Sequence, residues 1–377
     1  MNVKVFRSIT EIDGGRWDAA AGKGRTLCSY KYAELLEKSG VNKDRCYYIV
    51  VYEGDDIVAH TCAYFIREEL DIFARGVLKK MIRQARLRWK DFFILKSIEC
   101  GPPIAPGNIL SFREGVDRAQ AIRLMCRGME GLAKELGVKF ILFRDFYNGE
   151  TGLYGPLKEL GYMNIHNLPQ AWIKIRWKSF KEYLDSMRSS YRSNIVKSME
   201  KCAKAGISIQ RLKNPSPDDI RALKKLYDNV YDNAKEIKRE RLPDAFFENM
   251  DKHLADNVVV LSATMEGKII GYMLLVISGG TLITLLPGLD YDHNRNFYVY
   301  FNLFYKSIEF AIENGMSDID MGITTLNPKR DMGSEVLALN MYMKHFNPVL
   351  NMVIPVLFDM ITPPDTTAPR DVFKELP

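Results

Sequence analysis

Hydrophobic and polar positions fall into the same pattern twice along the chain. Tyr47–Ile66 reads YYIVVYEGDDIVAHTCAYFI: an apolar run, a turn at Glu53-Gly54, and a second apolar run. Val258–Ser278 reads VVVLSATMEGKIIGYMLLVIS, with the turn at Glu266-Gly267. Two apolar runs joined by so short a glycine-bearing step predict a β-hairpin. Downstream of each hairpin, apolar residues recur at helical spacing and stop at a glycine, and a strand follows. The first such stretch is Gly128–Phe146 with Gly137 as its cap, and the second is Leu303–Gly322 with Gly315. Glycine suits these positions because a helix ends cheaply in the left-handed conformation, which glycine adopts without a steric cost.

The two copies differ in length. Gly54 to Gly137 spans 83 residues, whereas Gly267 to Gly315 spans 48, so the first copy carries an insertion between Arg67 and Pro103. The repeat predicts an α/β (α+β) chain of two tandem domains, each a central mixed sheet flanked by helices. The boundary is expected near Ile173–Ser179: domain one over 1–172 with a basic helical insertion at about 68–103, and domain two over 173–361. Residues 362–377 are rich in proline and charge and are expected to form a loosely held tail. Ile269–Leu289 lacks any charged residue and has the length of a membrane span. Ser278-Gly279-Gly280 interrupts it, which predicts two β runs joined by a turn.

Composition narrows the class. With 377 residues, 47% hydrophobic and 27% charged, the chain is neither disordered, nor collagen-like, nor a small disulfide scaffold. Its six cysteines form no C-x-x-C pair, and no histidine stands at zinc-finger spacing, so buried thiols in a reducing compartment are expected, with no metal site. Met1–Asp13 has no apolar core of signal-peptide length. The expectation is a cytoplasmic protein, or one peripheral at the inner membrane face.

Charge sharpens the picture. The formal net charge of +6 is mild, but it is unevenly spread. Residues 72–90 hold seven basic residues (Arg75, Lys79, Lys80, Arg83, Arg86, Arg88, Lys90) and no acid. Leu78, Met81, Ile82, Ala85 and Trp89 mark a helical stripe there. This fits a helix packed on its own domain, a helix lying at a membrane interface, or a landing site for a polyanion such as tRNA or an acidic carrier protein. Residues 174–204 hold nine basic residues against three acids, with Leu184, Met187, Tyr191, Ile195 and Met199 on one face. Outside these segments the chain is acidic. If both helices border one cleft, the partner is anionic.

Three stretches resemble a known family, the GNAT superfamily in its doubled, FemAB-like form. Ser8–Gly40, with Trp17-Asp18 and Leu35-Leu36-Glu37, is similar to the opening of N-acyltransferases of the peptidogalycan biosynthesis or recognition type. Tyr183–Gly206, a Ser/Arg-rich helix closing on Lys204-Ala205-Gly206, resembles the entry helix of FemABX-type second domains. Phe297–Gly333 contains YKSIEFAIENGMSDIDMG, then Lys329 and Gly333, and resembles the last helix, strand and K-x-x-x-G loop of both. Two departures stand out. Ordinary GNAT enzymes hold the coenzyme A pyrophosphate on a glycine-rich loop before the long helix, but His293-Asn294-Arg295-Asn296-Phe297 contains no glycine. The group's His-Phe-Glu and Gly-x-His-Lys runs read Tyr300-Phe301-Asn302 and Asn327-Pro328-Lys329 here.

The resemblance implies an N-acyltransferase, with its cleft in the second domain facing the first. The donor is left open among acyl-CoA, acyl-carrier protein and aminoacyl-tRNA. The acceptor is expected to be a primary amine on an amino acid, peptide or envelope precursor. Such transfer needs positioning and oxyanion stabilisation more than a strong base. Backbone amides freed along Leu282–Leu289, with Pro287-Gly288 as the expected disruption, would hold the oxyanion. Lys329, Asp320, Tyr298 and Tyr300 are the catalytic candidates. Arg295, Asn296 and Gly288 are candidates for the donor, and Arg192, Asn302 and Thr324 for the substrate. His293 is a weaker candidate base. Glu99, Cys100 and Gly101 occupy the analogous strand of the first domain, which is expected to shape the cleft. The alternatives are an aminoacyl-tRNA-dependent transferase and a non-catalytic envelope-associated binding module.

Overall fold

A computed structural model describes residues 1–43, 45–69, 76–90, 94–234, 241–361 and 369–374. The first half comprises β1 (Asn2–Phe6), α1 (Gly14–Ala21), α2 (Tyr30–Lys38), β2 (Cys46–Glu53), β3 (Asp56–Glu69), α3 (Gly76–Arg88), β4 (Ile94–Cys100), β5 (Ser111–Phe112), α4 (Arg118–Glu135), β6 (Phe140–Tyr147), α5 (Gly155–Glu159) and β7 (Met163–Lys174). The second comprises α6 (Phe180–Ser186), α7 (Ser189–Lys204), β8 (Ser208–Arg211), α8 (Pro217–Asn233), α9 (Asp244–Leu254), β9 (Val258–Met265), β10 (Lys268–Ser278), β11 (Thr281–Leu289), α10 (Tyr291–Phe297), α11 (Val299–Glu313), β12 (Asp318–Gly322), α12 (Leu326–Asp331), β13 (Glu335–His345) and α13 (Pro348–Ile361).

The turns form where the pattern places them. Glu266 and Gly267 both adopt positive φ, 50° and 75°, between β9 and β10. Gly279 and Gly280 do the same, at 60° and 85°, between β10 and β11. Two consecutive left-handed residues make the turn whose twist matches that of the strands. The chargeless stretch is therefore a hairpin, and no helix among the described residues is long and apolar enough to cross a membrane.

All these strands but β5 follow one path in a mixed sheet, in the order β1-β2-β3-β4-β6-β13-β7-β12-β11-β10-β9-β8. The centre of this order is an exchange. β13, the last strand of the chain, pairs with β6 of the first half, and β7 of the first half pairs with β12 of the second. β7 and β13 pair with each other between them. The halves are tied elsewhere too: α2 packs its Leu35 and Leu36 among Phe246, Phe247 and Leu223 from α9 and α8. Thr26 Oγ1 donates to Ile277 O at 2.6 Å.

The end of the chain is better held than its composition suggests. The Arg188 N–H donates to Val372 O at 2.9 Å, and the Lys374 N–H donates to Ser186 O at 2.8 Å. Val372 is buried, and Phe373 packs on Trp177 at 5.0 Å between ring centroids. An apolar pair is sufficient to dock a segment whose other residues are polar. Residues 362–368 and 375–377 of the expected tail, and 70–75 and 91–93 of the insertion, lie outside the described residues.

Candidate active site

β11 pairs with β12 at Thr281, Leu282 and Ile283, then continues to Leu289 against β10. The two parallel strands thus part at Thr284. Sequence reasoning located the disruption at Pro287-Gly288; both residues pair with β10, opposite Met273 and Tyr272, and the ladder slips by one residue just before them, at Leu285, between the Leu274↔Leu286 and Leu275↔Thr284 pairs. The parting from β12 coincides with this slip, and β12 itself is short and ends at Gly322, whose φ of 79° turns the chain away. Past Thr284 the β12-facing edge of β11 lines the opening.

Asp320 stands on β12 next to this opening and is 2% exposed. Its Oδ1 accepts the Gly322 N–H at 2.7 Å. Burial pushes its carboxyl up to about 6, against the pull of the Gly322 amide, the Gln170 side chain and the Lys329 charge. Lys329 is also 2% exposed, on the short α12 rather than on an open loop. Its Nζ donates to Thr324 O at 2.5 Å and lies 5.5 Å from the Phe304 ring centroid. Burial brings its ammonium down to about 8, and Asp320 resists that shift. An acid and a base are therefore each displaced toward neutrality by burial, a pattern concentrated at functional sites.

Strained backbone flanks the pair. Thr325 has φ 55° where it caps α12, and Tyr298 has φ 56° between α10 and α11. A β-branched residue in that region costs of order 1–3 kcal/mol and persists only where its surroundings hold it. Tyr300 stands near Thr325, and burial pushes its hydroxyl up to about 12, with the Thr325 side chain acting against that shift. Asn294 Oδ1 accepts the Tyr300 N–H at 2.8 Å and so takes one of the amides at the head of α11. Tyr298 is 42% exposed, with Lys201 Nζ 4.8 Å from its ring centroid.

The first half supplies the facing wall. Tyr147 Oη donates to Gln170 Oε1 at 3.1 Å, and burial and the Asp320 charge hold that phenol well above its ordinary range. Asp145, buried with φ 67°, accepts from Asn167 Nδ2 at 2.6 Å and from the Gly107 N–H at 3.2 Å. Arg144 bridges from Asp145 at 3.4 Å to Glu99 at 3.1 Å, and its Nη2 donates to Pro102 O at 2.7 Å. The expected contribution of Glu99 and Gly101 thus takes the form of a buried ionic band: the Arg144 guanidinium lies over Gly101, 2.9 Å from where a β-carbon would stand. Tyr147, Gln170, Asp145 and Asn167 were not candidates from sequence. The Arg144-Asp145 pair inside the apolar run FILFRDFY was the available signal, since charges are rarely buried unless paired.

Other candidates are distributed around this centre. Thr324 holds Lys329 through its carbonyl. Asn302 is buried and spends its amide on Ser198 Oγ at 3.1 Å and Tyr298 O at 3.0 Å. Arg295 and Asn296 are exposed on α10, with Arg295 3.9 Å from Asp292. Arg192, on α7, lies 3.5 Å from Asp185 of α6. His293 Nδ1 stands 3.1 Å from Asp290. Gly288 faces Tyr272. The two basic segments do not border one cleft. α7 packs on α11 beside the candidate site, and Arg176, Lys181, Arg188, Arg192 and Lys204 of its segment each meet an acid. α3 lies between β3 and β4, whose Glu69↔Ile94 pairing is at the opposite end of the sheet from Asp320.

Comparison with known proteins agrees with this architecture. The chain is 25% identical over 327 residues to the "Putative 8-amino-7-oxononanoate synthase 2" of Mycobacterium tuberculosis; the match takes in 85% of this chain and spans 42% of that longer protein. It superposes on the crystal structure of FemX with a TM-score of 0.58 at 14% identity, covering 94% of this chain and 100% of FemX. A tandem GNAT protein from the clavulanic acid biosynthesis pathway gives a TM-score of 0.50 at 10% identity, covering 92% and 99%. These likenesses establish the doubled GNAT-type fold. The FemAB-like family profile, described as "Peptidogalycan biosysnthesis/recognition", matches residues 8–325, which include Asp320 and stop just short of Lys329. The chain belongs to the FemAB-like family.

Proposed function

We propose that the chain transfers an acyl or aminoacyl group onto the primary amine of an amino acid, a peptide or a cell-envelope precursor, working at the cytoplasmic face of the membrane or in the cytoplasm. The observation that carries this is the buried Asp320–Lys329 pair where β11 parts from β12, with the two groups brought to about 6 and about 8. Asp320 takes a proton from the acceptor ammonium, and the freed nitrogen attacks the acyl carbonyl. The Lys329 ammonium and the open amide edge of β11 stabilise the oxyanion. As the intermediate collapses, Tyr300 gives its proton to the departing thiolate or ribose oxygen and regains one from the nitrogen. Arg192 on α7 and Arg295 and Asn296 on α10 would hold a phosphate or carboxylate at the rim, with Tyr298 beside them.

The donor is carried by coenzyme A, a carrier protein or tRNA. The Asn294 contact at the head of α11 favours the latter two, because it occupies an amide that a pyrophosphate would otherwise use. The test is amide formation, followed by mass spectrometry, with acyl-CoA, acyl-carrier and aminoacyl-tRNA donors against a panel of amines. Asp320→Asn and Lys329→Met should each lower the rate by about 100-fold or more. Unaltered rates in both variants would remove the pair from the chemistry. No product with any donor would favour the binding-module alternative.

A further inference from the structure

Two helices leave the sheet at the end remote from Asp320. β3 runs to Glu69 and β4 starts at Ile94, so α3 is held at that end, and Arg67 Nη2 donates to Lys90 O at 3.0 Å. β13 reaches the same end at His345, opposite Phe140, and α13 follows it. Ile354 and Phe358 of α13 pack with Leu95 of β4 in one apolar cluster. The other face of α13 is apolar as well. Val349, Leu350, Met352, Val353 and Val356 are between 43% and 62% exposed. On α3 and just beyond it, Met81, Leu87 and Trp89 are 63%, 79% and 63% exposed. Met163, exposed at the start of β7, pairs with Met343 at this same end. Nine of the twelve large apolar side chains that stand exposed among the described residues therefore gather at one end of the sheet.

A helix apolar on both its packed and its outward faces, as α13 is apart from Asn351 and Asp359, is ordinarily covered by protein or by lipid. Here its neighbour settles what covers it. Residues 76–90 carry Lys79, Lys80, Arg83, Arg86, Arg88 and Lys90 with no acid, and end beside an exposed tryptophan. An apolar face flanked by cations and an interfacial tryptophan matches an anionic bilayer surface. An isologous second copy would set two acid-free basic helices against each other.

We propose that the end of the molecule formed by α3 and α13 docks on the surface of a bilayer containing anionic lipid. Docking would leave the candidate site standing above that surface: Gln170 is seven residues along β7 from Met163, about 23 Å at 3.3 Å per residue. The docking surface does not depend on which donor the site uses.

Flotation of the full chain with vesicles tests the proposal, using phosphatidylcholine alone and phosphatidylcholine mixed with phosphatidylglycerol. The protein should float with the mixed vesicles, and less so as salt rises. Lys80→Gln with Arg88→Gln should lower partitioning by about thirtyfold, from about a factor of five per basic residue. Val353→Glu with Val356→Glu should abolish it. All four side chains are exposed, so unchanged circular dichroism and melting temperature are expected and serve as the folding control. Failure to float with mixed vesicles, or flotation indifferent to both variants, would overturn the proposal. So would a dimer in light scattering that Val353→Glu with Val356→Glu converts to monomer, which would make the occupant a second copy.

Discussion

A β-carbon on Gly288 would stand 1.9 Å from Cε1 of Tyr272. The two residues face each other across the β10–β11 ladder, and Tyr272 is fully buried among side chains from α2, α8 and α9. The ring has nowhere to retreat, so Gly288 is required by packing whatever it does for a donor. Gly288→Ala should destabilise the protein by about 3 kcal/mol, the upper part of the range for overpacking, read as a lower denaturant midpoint. Adding Tyr272→Leu should recover part of the loss. An unchanged midpoint in the single variant would show that the ring yields.

The pH dependence follows from the buried pair. Asp320 binds its proton more tightly in the folded chain, near 6 against an ordinary 3.8. Stability is therefore favoured below 3.8 and falls as pH rises from there to about 6. Lys329 has the opposite displacement, near 8 against 10.5, so the cost of burying its charge is fully present below 8 and is relieved between 8 and 10.5. For the proposed transfer, kcat/KM should rise about tenfold per unit up to a pH near 6, where Asp320 becomes a base, and fall above about 8, where Lys329 loses its proton. Asp320→Asn should remove the acidic limb along with most of the rate. A flat profile between about pH 5 and 9, which lies about one unit inside the reference carboxylate and lysine values, would contradict these roles.

The docked terminus gives a stability prediction. Phe373 fills the space above Gly333, where a β-carbon would stand 2.2 Å from its Cζ, and it packs on Trp177 and Tyr183. Phe373→Ala should cost about 3 kcal/mol through the cavity it leaves, seen as a lower melting temperature. A melting temperature equal to that of the parent chain would mean the segment contributes no packing.

Much of the local structure was legible because it is encoded within a few residues. The turns at Glu266-Gly267 and Gly279-Gly280 and the caps at Gly137 and Gly315 rest on backbone sterics, and each forms where the sequence places it. Lys329 was legible as the loop lysine of a recognisable family pattern, and Asp320 as an acid ending an apolar strand just before Gly322. Their burial was not, because it rests on groups from other elements: Gln170 and Tyr147 of β7 and β6 beside Asp320, and the Phe304 ring of α11 against Lys329. Arg144-Asp145 announced a buried polar feature, while its partners Glu99 and Asn167 could be found only in three dimensions.

The sequence by itself determined the α/β class, the repeated hairpin-helix-strand order, the basic insertion and the family. These depend on periodicity, turn chemistry and local charge, which act over a few residues. Only the tertiary structure decided that β7 and β13 cross between the halves, which carries Gln170 and Trp172 to the strand bearing Asp320. It also separated the two basic segments, placing α7 beside the candidate site and α3 at the far end with the apolar α13. Such pairings join residues far apart in the chain, and their energy comes from long-range burial and strand registry, which no short window of sequence contains.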